Sequence, residues 1–398
     1  HQDLYVRDGK VQRHLSLNGP LAAAIPGIPA ALDALHQHGR LPLTTSLAPS
    51  IAFARTGFPV DDTYIERASW RLKALQQNAE SRQIFLHNGA LPKAGWILHQ
   101  PDLANTLEQL ALHGGHSFYE GPLAEALVSA VTQAGGIWSL NDLASYRVKW
   151  REPLVVELEN QQQLITSPPP SAGGVTLAQS LLLLQQLPWQ EAGKATRAHL
   201  IAETLRRAYR DRVLLGDPDF VANPVEQLLS KQHLASMLAT IQLDLATPSS
   251  ALEPASIVQE SMQTTHFSII DSEGNAVAAT LSLNMMFGSA FTAPGTGVLL
   301  NDEMDDFAAD LSGSNAYGLL ASDANKIVAH KRPLSSMSPS FVEGPDSLAA
   351  FGTPGGSRIP SMNLLAILEH LQGKPPADWV AAPRIHHQYL PDELGFEP

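Results

Sequence analysis

A layered α/β sandwich is the fold class the sequence predicts, on three observations. The 398 residues are 44% hydrophobic, enough for a large packed core. Helical patterns dominate as far as Arg212, and they return after Met362. Between them lie two β-rich runs, His266-Phe267-Ser268-Ile269-Ile270 and Ala276-Val277-Ala278-Ala279-Thr280-Leu281, joined by Asp271-Ser272-Glu273-Gly274-Asn275. That is a hairpin of buried-type strands. Helices, strands and helices again hide their apolar faces by stacking as layers. Length suits two or three domains or one large one, and there is no internal repeat.

The elements follow in order. Arg7-Asp8-Gly9-Lys10 reads as an exposed turn. Pro26 and Pro29 suit a helix start ahead of Ala30 to Leu35. The spacing predicts further amphipathic helices, among them Asn105 to His113 and Pro122 to Ala134. Each of these two is stopped by a glycine pair that supplies a left-handed cap. Leu154 to Glu159 and Leu164 to Ser167 read as a strand pair. Pro168-Pro169-Pro170 and Gly173-Gly174 then lead into an apolar helix over Val175 to Leu187, and another helix covers Arg197 to Arg212. Residues 246–262, rich in Thr, Pro and Ser, read as a mobile loop. Past the hairpin, strands are expected near Gly297 to Leu300 and Leu348 to Phe351, and helices over Met362 to Leu371 and Ala377 to Ala382.

Charge and composition exclude several function classes. There are 26 Lys+Arg against 39 Asp+Glu, a net charge of −13. Such a surface repels nucleic acid and anionic membranes. No apolar run approaches the roughly 20 residues of a membrane span. Leu177 to Leu187, the most apolar stretch, is broken by Gln179 and Ser180. There is no cysteine, which removes disulfides, thiol nucleophiles and thiolate metal sites, and fits an exported bacterial enzyme. The chain opens at His1 rather than Met, so we expect a removed or missing start and read the sequence as a fragment.

The chemistry centres on Thr264, where the polar stretch ending at Gln263 meets the hairpin. A threonine there has two readings: β-propensity at a strand start, or a residue that becomes a chain terminus. In the second, its free α-amine, with a pKa of about 7.7–8.0, serves as base for its own hydroxyl. Other groups also carry bland readings. Asp305-Asp306 alone is a solvated turn, and Ser335-Ser336 a loop or helix cap. Gly355-Gly356 before an apolar helix resembles a phosphate-binding start, but neither a P-loop lysine nor GxGxxG accompanies it. Gly173-Gly174 suits helix packing, and His266 a packed strand. His386-His387 lacks a convincing ligand set, so no metal and no cofactor is assigned.

Several blocks in order resemble the γ-glutamyltranspeptidase family. Thr264 to Ser268, followed by Asp271 to Asn275, looks like the start of that family's small subunit. Gly297-Val298-Leu299-Leu300-Asn301-Asp302-Glu303-Met304-Asp305-Asp306-Phe307, Lys331 to Pro339 and Gly352-Thr353-Pro354-Gly355-Gly356-Ser357-Arg358 match later blocks. Pro168 to Gly174 and Gly216-Asp217-Pro218-Asp219-Phe220 match large-subunit segments, and the resemblance runs from His1 to Pro398.

The resemblance implies an α+β fold, a four-layer αββα sandwich of the N-terminal-nucleophile hydrolase type. It implies self-cleavage between Gln263 and Thr264. Pieces 1–263 and 264–398, each incomplete at its outer end, would come from one precursor and share one domain. Thr264 would be the nucleophile, oriented by Ser282 where the family usually has threonine. Asn284, Glu303 and Asp306 would contact the substrate α-ammonium, and Ser335 and Ser336 its α-carboxylate. Gly355 and Gly356 would offer N–H groups to the oxyanion, and Tyr317 would sit in a lid over Asp310 to Ser322. The implied activity is γ-glutamyl transfer from a glutathione-like donor to water, an amino acid or a peptide, in the periplasm or outside the cell. Hydroxyls alone do not neutralise a carboxylate, so an arginine is expected before His1, with Arg7 a poorer candidate, and further strands after Pro398. The rivals are an acylase of the same superfamily acting on β-lactam side chains, and an inactive binding homologue.

Overall fold

Four antiparallel strands carry the first of two structural units: β1 (Leu154–Glu157), β2 (Gln163–Thr166), β5 (Ser340–Gly344) and β6 (Ser347–Phe351). Between them in sequence lies the hairpin of β3 (Thr265–Ile270) and β4 (Ala276–Leu281). The computed structural model describes residues 3–252, 264–308 and 322–397. Gln263, Tyr317 and most of the proposed lid therefore lie outside the described residues. Among those described, the first unit takes the chain up to Val11, from Arg151 to Ser282 and from Asp306 onward. The second takes Gln12–Trp150 and Leu283–Asp305.

The sheet order is β6-β5-β2-β1, so β2 and β5, from either side of Thr264, form its inner seam. Ser340 pairs with Thr166 and Val342 with Leu164. Register then aligns Val156, Leu164, Val342 and Ala349 in one row across all four strands. All four are buried, as period-2 alternation requires of one face. Three helices share that core: α1 (Ala172–Leu184), α2 (Lys194–Asp211) and α3 (Ile359–Leu371). Leu177, Leu181, Leu205, Leu364 and Leu368 supply much of the contact.

Helix α1 begins three residues earlier than the sequence pattern indicates, and includes both glycines. Glycine is unfavourable inside a helix. Here tertiary contact overrides propensity. A Cβ on Gly173 would stand 2.2 Å from the Ser336 carbonyl oxygen, and one on Gly174 2.0 Å from that of Ser167. Ser171 caps the helix through the Gly173 amide.

Two expectations change. The hairpin strands are not buried: Phe267, Ile269 and Ile270 are 44%, 57% and 50% exposed. Among the described residues each strand pairs only with the other. The stretch from 246 is not wholly loose either. Ser249 is buried, and both its amide and its hydroxyl donate to Asp392 at 2.8 Å.

The second unit packs helices including Leu43–Thr56, Pro101–His113 and Pro122–Gln133 around Phe118, Leu127, Val131, Trp138, Phe291 and Leu300. In the helix Asp62–Gln77, buried Arg71 donates to the carbonyls of Leu17, Met286 and Gly288, which pins the 283–305 segment to the unit. No helix among the described residues is long and apolar enough to cross a membrane.

Glu203 holds a buried charge cluster on α2. Arg206 donates to its Oε1 at 3.0 Å and Arg207 to its Oε2 at 2.7 Å. Arg206 also reaches His387 and Asp392. Burial alone pushes the Glu203 carboxyl up, but hydrogen bonds from Thr247 and Arg207 outweigh it and hold the group below the usual range. Its stabilisation is thus full at neutral pH and is lost as pH falls through its folded-state value. Glu203→Ala removes the carboxylate that two buried guanidinium groups share and should cost about 3–5 kcal/mol at pH 7. Urea unfolding measures this. The gap to wild type should narrow in acid below the usual glutamate range, and a gap that widens there would contradict the assignment.

Candidate active site

Thr264 stands one residue ahead of β3, and Ser282 one residue past β4. The hairpin pairs Thr265 with Leu281. One further step along that register sets Thr264 opposite Ser282 at the open end. Both are half-buried. Side chains two apart share a face, so Thr264 and Ser282 continue the face that carries His266 and Thr280.

His266 shows what that face packs against. Its ring nitrogens bond the hydroxyls of Thr280 and Ser268, each at 2.8 Å. Burial lowers its pKa, so the ring is neutral near pH 7. A Cβ on Gly352 would lie 1.9 Å from this ring, which makes glycine the residue the site accepts. The strand carrying the threonine is therefore seated on the end of β6, where the glycine-rich turn begins.

Gly355 and Gly356 are buried, with φ of +142° and +55°. A Cβ on Gly355 would strike Met362 at 2.3 Å. Gly356 opens a 3₁₀ turn, Gly356–Arg358, that runs into α3. The Tyr209 hydroxyl donates to the Ser357 carbonyl and fixes that turn. Backbone N–H groups at such a helix start favour negative charge.

Ser335 and Ser336 are held by a second set of bonds. Ser335 donates its amide to Pro170 at 2.9 Å, and its carbonyl accepts from Ala172 at 2.8 Å. Fully buried Asp217 accepts from the Arg332 amide at 2.8 Å. Asn325 accepts from the Leu334 amide at 2.9 Å and donates to the Asp306 carbonyl at 2.6 Å. Asp306 and Leu334, the residue before the serine pair, thus hang on one side chain.

Arg212 is the group that pattern reading missed. It is buried, and its Nη2 donates to the Ser336 hydroxyl at 3.4 Å. Its Nε has no hydrogen-bond partner among the described residues. Burial pushes its pKa down to about 10, partly countered by the negative charge of Asp306. A cation therefore does stand beside the serines, within the described chain. Its signal was an arginine closing an otherwise apolar helix face at Arg210-Asp211-Arg212. Arg7 is exposed, and its guanidinium donates to the carbonyls of Leu4 and Val6.

Asn284 and Glu303 belong to the second unit. Asn284 is buried and donates from Nδ2 to the Asp302 carbonyl at 3.0 Å. The Glu303 amide donates to Asn301 at 3.0 Å. Asp305 is not a solvated turn residue. It is buried, because Ser16 and Arg13 donate to its two oxygens. His386 bonds Ser361 and Gln388. No group of three or more His, Asp or Glu among the described residues is placed to hold a metal ion.

Comparison with known proteins bears on this geometry. The sequence model of a family described as gamma-glutamyltranspeptidase matches residues 1–398. A protein named glutathione hydrolase proenzyme from Pseudomonas aeruginosa is 40% identical over 99% of this chain and 71% of its own length. One of the same name from Escherichia coli is 38% identical over 100% of this chain and 70% of its own. Among solved structures, a cephalosporin acylase from Bacillus halodurans superposes with a TM-score of 0.79 at 26% identity, covering 93% of this chain and 67% of its own. The gamma-glutamyltranspeptidase of Helicobacter pylori superposes with a TM-score of 0.61 at 34% identity, covering 63% and 74%. These likenesses establish the expected α+β, αββα fold class of the N-terminal-nucleophile hydrolases.

The seat of the hairpin can be measured directly. Gly352→Ala should destabilise the chain by about 1–3 kcal/mol, because its methyl meets the imidazole. In a His266→Ala background that cost should largely vanish. A double-mutant cycle by urea unfolding reads the coupling, and additive costs would show that the ring is not what demands glycine.

Proposed function

The chain belongs to the γ-glutamyltranspeptidase family, and from that membership we propose that it moves γ-glutamyl groups from glutathione-like donors to water or amine acceptors through an ester on Thr264. The observation that carries this reading is the hairpin end. A threonine one residue ahead of a strand lies opposite Ser282 by continuation of the register, in a chain whose relatives are named proenzymes.

Chemistry proceeds in two stages. In the precursor, the Thr264 hydroxyl attacks the Gln263 carbonyl and the peptide shifts to an ester. Water hydrolyses that ester, leaving a carboxylate on Gln263 and a free amine on Thr264. The amine then accepts the hydroxyl proton as Oγ attacks the donor's γ-carbonyl. The proton passes to the departing amine, and water or an acceptor amine resolves the ester. Ser282 orients the nucleophile, and the Gly355 and Gly356 amides receive the oxyanion. Asn284, Glu303 and Asp306 read the α-ammonium, and Ser335 and Ser336 the α-carboxylate, with Tyr317 in the lid. The buried Arg212 beside Ser336 supports an anion at the serines. Pieces 1–263 and 264–398 remain together, a reading supported by the β2–β5 seam. Export to the periplasm or medium belongs to the same proposal and fits the lack of cysteine.

A second reading is an acylase, which the superposition on a cephalosporin acylase favours. Such an enzyme needs no reader for an α-ammonium, so the acids and Asn284 favour the first.

N-terminal sequencing of the purified protein should give a second sequence, Thr-Thr-His-Phe. Thr264→Ala should stay one chain and lack turnover; normal cleavage of that variant would remove the processing claim. Replacing a γ-glutamyl anilide by its des-amino, glutaryl counterpart should lower kcat/KM about 10- to 100-fold, the worth of a hydrogen bond to a charged group. Equal turnover of the two would favour the acylase.

A further inference from the structure

Asp302 sits at the centre of a hydrogen-bond clamp in the second unit that the proposed mechanism leaves unused. Its amide donates to the Leu283 carbonyl at 3.1 Å. Its carbonyl accepts from Asn284 Nδ2 at 3.0 Å. Its side-chain Oδ1 accepts from the Met285 amide at 2.8 Å. Three consecutive residues are thus tied to one. The middle residue, Asn284, is buried with φ of +67°, a left-handed conformation that asparagine tolerates better than most residues but that still needs holding.

The clamp determines which way the Asn284 amide faces. A backbone carbonyl only accepts, so the end turned to the Asp302 carbonyl must be the NH₂ end. The planar amide then directs Oδ1 to the opposite side. An ammonium group requires an acceptor, and Oδ1 is the acceptor that Asn284 owns. We infer that Asp302 is a positioning residue, which sets the amide of Asn284 so that its oxygen reads the α-ammonium of the γ-glutamyl donor. The inference rests on the γ-glutamyl reading above.

The state of the Asp302 carboxyl agrees with a role as acceptor rather than as charge. It is fully buried, and its Oδ2 has no hydrogen-bond partner among the described residues. Burial holds its pKa well above the usual carboxylate range, and the nearby charges of Glu303 and Asp305 add to that, against the Met285 amide and Arg71. An ionised carboxylate left this way would be costly, so the neutral acid fits the site. Asparagine, of the same shape, can offer Oδ1 to the Met285 amide equally well. Alanine cannot.

The test uses the processed protein, a γ-glutamyl anilide and three chains: wild type, Asp302→Asn and Asp302→Ala. Asp302→Ala should raise KM for the donor about 10- to 100-fold, the worth of a hydrogen bond to a charged group. Its kcat should change little, because ammonium binding is shared by ground and transition states. Self-cleavage, which involves no ammonium, should proceed at the wild-type rate. Asp302→Asn should restore KM to near wild type. An unchanged KM in the alanine variant would overturn the inference. So would an asparagine variant as poor as alanine, or joint loss of kcat and self-cleavage, which marks a merely structural role. A wild-type chain that self-cleaves but never turns over the γ-glutamyl donor would overturn the γ-glutamyl reading itself, and this inference with it.

Discussion

The seam between β2 and β5 is the constraint on which the first unit depends. These strands come from opposite sides of Thr264, yet they are the two inner strands of one sheet. Inner strands bond on both edges, so neither can leave without opening the sheet. Just beyond the seam, Ser171 and Ser335 form a parallel bridge, and the start of α1 is pressed against the Ser336 carbonyl. On the other side of β5, β6 ends one residue before Gly352, where His266 is seated. The serine pair, the glycine turn and the threonine hairpin are thus all referred to the same four strands. A backbone cut ahead of Thr264 would remove one covalent link and leave every one of these contacts in place.

Buried charge is the second organising element. Interiors tolerate charge only where it is paired or bonded. Glu203 meets that demand with Arg206 and Arg207, and the same cluster reaches Asp392, which grips Ser249. The last described turn before residue 253 is therefore fastened to the far end of the chain. Arg212 meets the demand less completely, with one long bond to Ser336, an Nε that has no partner among the described residues, and the charge of Asp306 nearby. An incompletely satisfied buried cation adjoining hydroxyl groups is where an anionic ligand gains most, because the cost of desolvating the cation has already been met in folding.

How much of this could be read in the sequence follows from how local each signal is. The hairpin was legible within a residue at either end, since alternation and the Asp271 to Asn275 turn are local patterns. The sheet strands near Leu154 and Leu348 were legible for the same reason. The start of α1 was not, because Gly173 and Gly174 look like helix breakers until the Ser336 and Ser167 carbonyls are seen against them. The strand Ser340–Gly344 went unread, its alternation being short and following Ser338-Pro339. Arg212 and Asp302 were passed over because a charged residue in sequence looks solvated by default. Only tertiary packing shows that each is enclosed. Exposure of Phe267, Ile269 and Ile270 failed in the opposite sense: strand propensity describes a residue's preference, while its cover is set by what other strands supply.

Fold likeness alone does not choose between transferase and acylase, because structures of both superpose on this chain. The acylase superposes over more of this chain than the transferase does, yet coverage measures shared backbone rather than shared specificity. The choice lies in the charge pattern of the acyl group. A γ-glutamyl head carries an ammonium and a carboxylate on one carbon, so its reader must set acceptors and donors close together. A des-amino acyl group asks for donors only. Asn284, at a left-handed φ and bonded to Asp302 between two neighbours that are bonded to it as well, is held in a costly state that the proposed reading of an ammonium would use. On that proposal the clamp in the second unit, together with membership of the family, favours γ-glutamyl donors.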